Sequence, residues 1–298
     1  MECFLGISFV GIPFYTRARY RGMAQAVGSL RAAGILSKLE SVDPDLIDLG
    51  DVECPVIEQD HGPRNLQNWE EFIQGTHSVR DKLSLRLDKS RLTFCLGGEC
   101  AFILGTLASL KTFHKGTPGM VWMDAHGDFN TPETSSSGFI GGMPLALACG
   151  RGPKLSPEME AFRPLLDEEQ VVHIGSRSLD PGEDTALLSS VKVFPAKDIE
   201  KNGARDVARQ TVQHLNDSCD WIIAHLDVDV FDPSIMPGVN FPEPGGLAGK
   251  DILEIFRALQ STGKLKVVDL TAYNPLGDKD GRGKSLLLDL APKLVKLG

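Results

Sequence analysis

The sequence has no Cys-x-x-Cys pair, no block of lysine and arginine, no low-complexity linker and no apolar stretch long enough to cross a bilayer. Each absence excludes something. Six cysteines in 298 residues (Cys3, Cys54, Cys95, Cys100, Cys149 and Cys219) show no framework spacing. A chain of this length buries enough apolar surface to fold without staples, so a disulfide scaffold is excluded and the thiols point to a reducing, cytoplasmic compartment. Basic residues number 31 against 40 acidic, a net charge of −9. With no basic block, the surface repels phosphate backbones and anionic lipid, which argues against nucleic-acid and membrane partners. Residues 1–14 are apolar, but no basic residue precedes the run and no small-residue cleavage site follows it, so a buried first strand is expected there rather than a secretion signal. The absence of a linker or a shift in composition predicts one domain over residues 1–298.

What the chain does contain is a rhythm. Short apolar, β-branched runs at 4–10, 46–49, 92–96, 119–123, 171–174, 191–194, 221–226 and 265–270 alternate with helical spacing at 23–33, 66–86, 101–110, 157–166, 204–216, 249–261 and 284–297. Such alternation predicts a parallel α/β sheet. The long irregular segments 131–142 and 232–248 follow strand ends, which is where open α/β sheets build their sites.

Two segments carry chemistry. Asp124-Ala125-His126-Gly127-Asp128 follows the apolar run 120–123, and His225-Leu226-Asp227-Val228-Asp229 follows the apolar run 221–224. In an extended chain, residues two apart share a side, so each segment brings three metal-type donors together. Either segment alone could be a solvated acidic loop or a helix N-cap. Two of them at the ends of apolar strands make a divalent-metal site the stronger reading, because buried carboxylates need a counter-charge. Four carboxylates and an imidazole suit a hard or borderline ion such as Mn2+ and suffice for a bridged pair.

With these motifs in place, the chain resembles the arginase/agmatinase/formimidoylglutamase family, the ureohydrolases, over nearly its whole length. Gly22-Met23, Gly28-Ser29-Leu30-Arg31-Ala32-Ala33-Gly34 and Asp48-Leu49-Gly50-Asp51 are similar to the family's N-terminal region. Gly97-Gly98-Glu99-Cys100 stands where the family has Gly-Gly-Asp-His. Asp124–Asp128, Ile174-Gly175-Ser176-Arg177, Asp180-Pro181-Gly182-Glu183, Asp227-Val228-Asp229 with Asp232-Pro233, Pro242-Glu243-Pro244-Gly245-Gly246-Leu247 and Asn274-Pro275 follow in the family's order.

The resemblance implies a three-layer α/β/α fold around an eight-stranded parallel sheet, a dinuclear manganese centre, and hydrolysis of a guanidine or formimino C–N bond. Asp124 and Asp227 would bridge the ions, with His126 and Asp229 completing one and Asp128 and Cys100 the other. Asp128 would also orient the attacking water. Asn130, Ser137, Asp180 and Glu183 stand where arginases hold the α-amino and α-carboxyl groups of the substrate. The family assembles as trimers or hexamers, for which the apolar C-terminal helix at 286–297 is one candidate surface.

Several positions depart from the family's pattern. Cys100 replaces a histidine ligand, and a thiolate's softness favours Zn2+ or Fe2+ over Mn2+. A neutral thiol would instead leave one ion position weak, so one or two ions are both open. Ala272 replaces the glutamate that pairs with a guanidinium, and losing such a partner costs on the order of 2–5 kcal/mol of affinity. Gly141 replaces a histidine at the mouth of the site, and Phe139 and Phe241 replace small polar residues at its rim. His225 lies two residues before Asp227, with Cα atoms about 6.6 Å apart on one strand face. It could ligate a metal, act as a general base, or be a core histidine. His173, His114, Trp122 and Trp221 are given no role in the site.

The expected function is therefore metal-dependent hydrolysis of a non-peptide C–N bond in an amidine, guanidine-derived or amide-like small molecule, on an amino-acid backbone but other than arginine. The alternatives are a catalytically inactive paralogue that binds metal or ligand or regulates a partner, and a fold repurposed for other metal-assisted chemistry.

Overall fold

The computed structural model describes residues 6–296. Eight strands form one parallel sheet: β1 (Gly6–Ile12), β2 (Ile47–Asp51), β3 (Arg91–Gly97), β4 (Pro118–Met123), β5 (Val171–Ile174), β6 (Lys192–Phe194), β7 (Trp221–Asp227) and β8 (Leu265–Thr271), in the order β2-β1-β3-β8-β7-β4-β5-β6. Every run read as a strand is one, within a few residues at its ends. Residues 4 and 5 of the first expected strand, and residue 297 of the last expected helix, lie outside the described residues.

Period-two alternation divides the apolar side chains between two faces. In β7, Ile222, Ala224 and Leu226 join one core, while Trp221 and Ile223 join the other. In β4, Val121 and Met123 go one way and Met120 and Trp122 the other. Helices Gln25–Ala32, Ile35–Glu40, Ala196–Asn202, Ala204–Asn216, Gly249–Ser261 and Arg282–Leu294 cover the first face, and helices Trp69–Ser84, Ile103–Phe113, Pro144–Ala148, Pro157–Glu160 and Asp184–Ser190 cover the second. This is the expected α/β/α layering. Among the described residues no helix is long and apolar enough to cross a membrane.

Helix boundaries differ more. The helix expected over 157–166 ends at Glu160, before Pro164, which supplies no N–H to continue it. The pattern over 23–33 continues past Gly34, a left-handed residue at φ 88°, as the separate helix Ile35–Glu40. Three further short helices, Pro144–Ala148, Asp184–Ser190 and Ala196–Asn202, fall where no helix was expected. With five to seven residues each, they carry too little periodicity to be read from sequence.

One close approach positions the site. Gly98 N donates to Ile12 O at 2.9 Å, Glu99 N to Phe14 O at 2.9 Å, and Ala272 N to Gly98 O at 2.6 Å, so the ends of β1, β3 and β8 are stitched together. A Cβ at Gly98 would lie 2.1 Å from Phe14 O, which is backbone and cannot rotate away. Gly98→Ala should therefore cost about 1–3 kcal/mol, read as a lower urea midpoint. An unchanged midpoint would mean that the β1 end yields freely.

Candidate metal centre

The sheet order makes β3, β8, β7 and β4 neighbours at its centre, so segments far apart in sequence meet at their C-terminal ends. β4 delivers Asp124–Asp128, β7 delivers Asp227 and Asp229, the turn after β3 delivers Cys100, and β8 delivers Ala272. Parallel strands have no other route to bringing four such segments together at one end.

The donors converge by turns rather than by continued extension. β4 ends at Met123, and Asp124 Oδ1 accepts the His126 N–H at 2.7 Å. Asp227 Oδ1 accepts the Asp229 N–H at 2.7 Å and caps the short 3-10 turn Val228–Val230. Each first aspartate thus folds the chain over its own side chain. Asp128 is left-handed at φ 48°, and its carbonyl accepts from Leu145 N at 3.1 Å. The strand-like spacing expected through 128 and 229 is therefore not what groups these residues, although the grouping itself is as expected.

His126 Nδ1 lies 3.0 Å from Asp229 Oδ2 and 3.5 Å from Asp124 Oδ1. The Cys100 thiol donates to Asp227 Oδ2 at 2.9 Å. Among the described residues, two sets have donor atoms within 4.8 Å of one another, Asp124/His126/Asp229 and Cys100/Asp124/His225, and both contain Asp124. Burial first, and then the neighbouring aspartates, hold the Asp128 and Asp227 carboxyls well above the usual range. The Cys100 thiol is pushed up by the same causes in the same order. Repulsion among buried acids of this kind is what a divalent cation relieves, so the donor set fits a metal.

A cavity of about 320 Å³ opens over these residues. Cys100, His126, Asp128, Asp227 and Asp229 line it, together with Asn130, Ser137, Asp180 and Glu183. Asn130 Nδ2 donates to Asp180 Oδ2 at 3.0 Å. Glu183 is buried, and its two carboxylate oxygens accept from Phe129 N at 2.8 Å and Asp180 N at 3.0 Å, so it braces this wall from behind. Ala272, left-handed at φ 66°, presents a methyl to the cavity. Phe139 and Phe241 line its rim with ring centroids 5.8 Å apart, and Phe241 lies 5.9 Å from the His126 ring. A Cβ at Gly141 would fall 2.3 Å from the Phe139 ring, so phenylalanine at 139 and glycine at 141 go together.

His225 does not line the cavity. It is fully buried beneath it, its ring stacked on Trp122 at 3.6 Å between centroids. A ring nitrogen of His225 instead lies within 4.8 Å of Cys100 Sγ and the Asp124 carboxylate, so the structure sets it among the donor atoms rather than at the cavity surface. Trp122, assigned only to the core from sequence, also donates to Asp124 Oδ2 at 3.1 Å.

Sequence reasoning missed three residues. Glu99 lines the cavity beside Cys100, its Oε2 accepting from Thr16 N at 3.0 Å and its Oε1 buried without a partner. Burial raises its pKa to about 7, against the opposing bonds from Thr16. Its signal was a glutamate where the family has aspartate. Tyr20 stands edge-on to both rim phenylalanines, at 4.9 and 5.0 Å, but lay in a segment without pattern. Asp269, fully buried in β8, was hidden inside an apolar run.

A parallel α/β/α sheet with paired acidic motifs at the ends of its central strands places the molecule in the class of ureohydrolases, enzymes that hydrolyse C–N bonds outside peptides. The chain belongs to the arginase family, whose model matches residues 5–295. It is 33% identical over 279 residues to an arginase of Staphylococcus aureus strain MSSA476, covering 92% of this chain and 91% of the relative. The arginase structure from Bacillus caldovelox superposes with a TM-score of 0.91 at 30% identity, covering 97% of this chain and 98% of that one. The formimidoylglutamase structure from Bacillus subtilis, at 18% identity and a TM-score of 0.77, covers 98% of this chain and 87% of that one and shares the fold.

One neighbour of the cluster gives a pH test. His173 Nε2 donates to His126 O at 2.7 Å, and burial pulls the His173 pKa down to about 4. Unfolded, it titrates near 6.5. Between these values the unfolded chain binds the extra proton, so the contribution of neutral His173 is intact above pH 6.5 and lost as pH falls toward 4. In chelator, the stability advantage of wild type over His173→Gln should shrink by up to about 1.4 kcal/mol per pH unit as pH falls through that window, measured by urea unfolding. A constant gap would refute it.

Proposed function

We propose that the protein is a metal-dependent hydrolase acting on a non-peptide C–N bond of a small molecule with an amino-acid backbone, whose reacting group is a neutral amidine, formimino, N-hydroxyguanidine or amide-like group. The observation that carries this reading is one cavity lined by the metal-type donors, by Asn130, Ser137 and Asp180, and by a methyl at Ala272. Asp124, His126, Asp128, Asp227, Asp229 and Cys100 would hold one or two divalent ions, Mn2+ on the family's pattern and Zn2+ or Fe2+ where the thiol binds. Such ions supply an acidified water and polarise the substrate.

The remaining work falls to the chain. Asp128, at the cavity wall, accepts a hydrogen bond from the attacking water and orients it. Asn130, Ser137 and Asp180 hold the α-amino and α-carboxyl groups, with Glu183 fixing their wall. Phe139 and Phe241 exclude water at the rim. Near Ala272, whose N–H bonds to Gly98, burial holds the Glu99 carboxyl at a pKa of about 7, so it can meet a neutral polar group as hydrogen-bond donor or acceptor. On the family's pattern the protein would be a cytoplasmic trimer or hexamer.

The test is release of ammonia, amine or urea from a panel of such amino acids, with Mn2+, Zn2+ or Fe2+ added to the chelated protein. At least one member should turn over. Arginine should fall short of it by about 30-fold or more in kcat/KM, the equivalent of roughly 2 kcal/mol. Ala272→Glu should raise arginine kcat/KM by about tenfold or more. No turnover of any member by fully metallated protein would favour the inactive-paralogue reading.

A further inference from the structure

His225 and Asp269 are fully buried, are paired across the β7–β8 ladder, and take no part in the cavity wall. His225 Nδ1 lies 2.9 Å from Asp269 Oδ1, yet neither ring nitrogen of His225 and neither carboxylate oxygen of Asp269 makes a hydrogen bond of ordinary geometry. A ring nitrogen of His225 lies within 4.8 Å of both Cys100 Sγ and the Asp124 carboxylate. A buried imidazole nitrogen without a partner is costly, and one placed among a thiol and a carboxylate is placed as a ligand is. Stacking on Trp122 leaves the ring no freedom to turn away.

We propose that His225 is a metal ligand, completing with Cys100, Asp124 and Asp227 a thiolate–imidazole–carboxylate position that takes Zn2+ in preference to Mn2+. The imidazole that the turn after β3 lacks at Cys100 is supplied from strand β7 instead. Asp269 acts as the carboxylate behind that histidine and orients it toward the ion, the arrangement common to metal-bound imidazoles. Asp227 joins because its Oδ2 already touches Cys100 Sγ at 2.9 Å. One sulfur, one nitrogen and two oxygens are a donor set that would suit zinc. On binding, the S–H bond of Cys100 breaks, its proton goes to solvent, and sulfur donates the electron pair to the ion. The position that shares Asp124, with His126 and Asp229, has only nitrogen and oxygen donors and keeps the harder preference.

The proposal rests on the metal-centre part of the reading above, and its test is independent of turnover. Chelated protein is titrated with Co2+ as a spectroscopic probe, and the Zn2+-loaded protein is examined by X-ray absorption. Expected are a thiolate-to-cobalt charge-transfer band and, with both positions filled by zinc, one sulfur at about 2.3 Å and two imidazoles per ion pair. Cys100→Ser should abolish the band. His225→Gln should weaken Co2+ binding at this position by about 10- to 100-fold or more and alter the ligand-field bands, and Asp269→Asn should weaken it by about 10- to 100-fold. A zinc sphere with one imidazole, or no thiolate band on fully loaded wild type, overturns the proposal without reference to any variant's folding. Failure of the substrate panel with these spectra present rejects the hydrolase reading alone.

Discussion

Asp124 belongs to both groups of donor atoms, and the site depends on how it is held. Its two oxygens accept from His126 N and Trp122 Nε1, so its geometry is fixed by the chain on either side of it. Around it stand Asp128, Asp227 and Asp229, all buried. Carboxylates gathered in this way repel one another with little water to screen them, and the fold must hold them there against that repulsion. The stitching at Gly98, the two aspartate-capped turns and left-handed Asp128 serve this end. The sheet core, with its alternating faces closed by two helical layers, offsets what the cluster costs.

Much of this was legible in the sequence because it rests on local rules. The strands of a parallel sheet buried on both faces read as short β-branched runs, and all eight were found. Acidic residues at the ends of such runs mark a site with a counter-charge. Less legible was anything decided by neighbours in space. Asp269 looked like one polar residue in a strand until the ladder set it opposite His225. Glu99 differs from the family's residue by one methylene, whose consequence depends on where Thr16 pins the other oxygen. The local turns at 124–128 and 227–229 brought the expected donors together by a different geometry, because both extension and folding over an aspartate place residues two apart near each other.

The family pattern also misleads if each departure is scored alone. Gly141 counts as the loss of a histidine, yet a side chain there would collide with Phe139, which fills the space. The two are one exchange, of a polar mouth for an aromatic one that Tyr20 extends. Ala272 counts as the loss of a carboxylate, yet its backbone bonds to Gly98, beside Glu99. That carboxyl is buried, and burial raises its pKa to about 7.

Cys100 follows the same logic. Taken alone, thiol for imidazole lowers the affinity of one position for a hard ion and suggests decay. In space, the substituted residue faces Asp227 and lies near His225, on whose ring Trp122 stacks and whose Nδ1 is 2.9 Å from Asp269 Oδ1. A buried imidazole nitrogen without a partner is a cost that an apolar side chain would remove, and a metal ion would offset it. The buried acids argue the same way, because a cluster that no longer met a cation would gain stability with each aspartate it lost. The presence of both costs in one place is what a bound cation would offset.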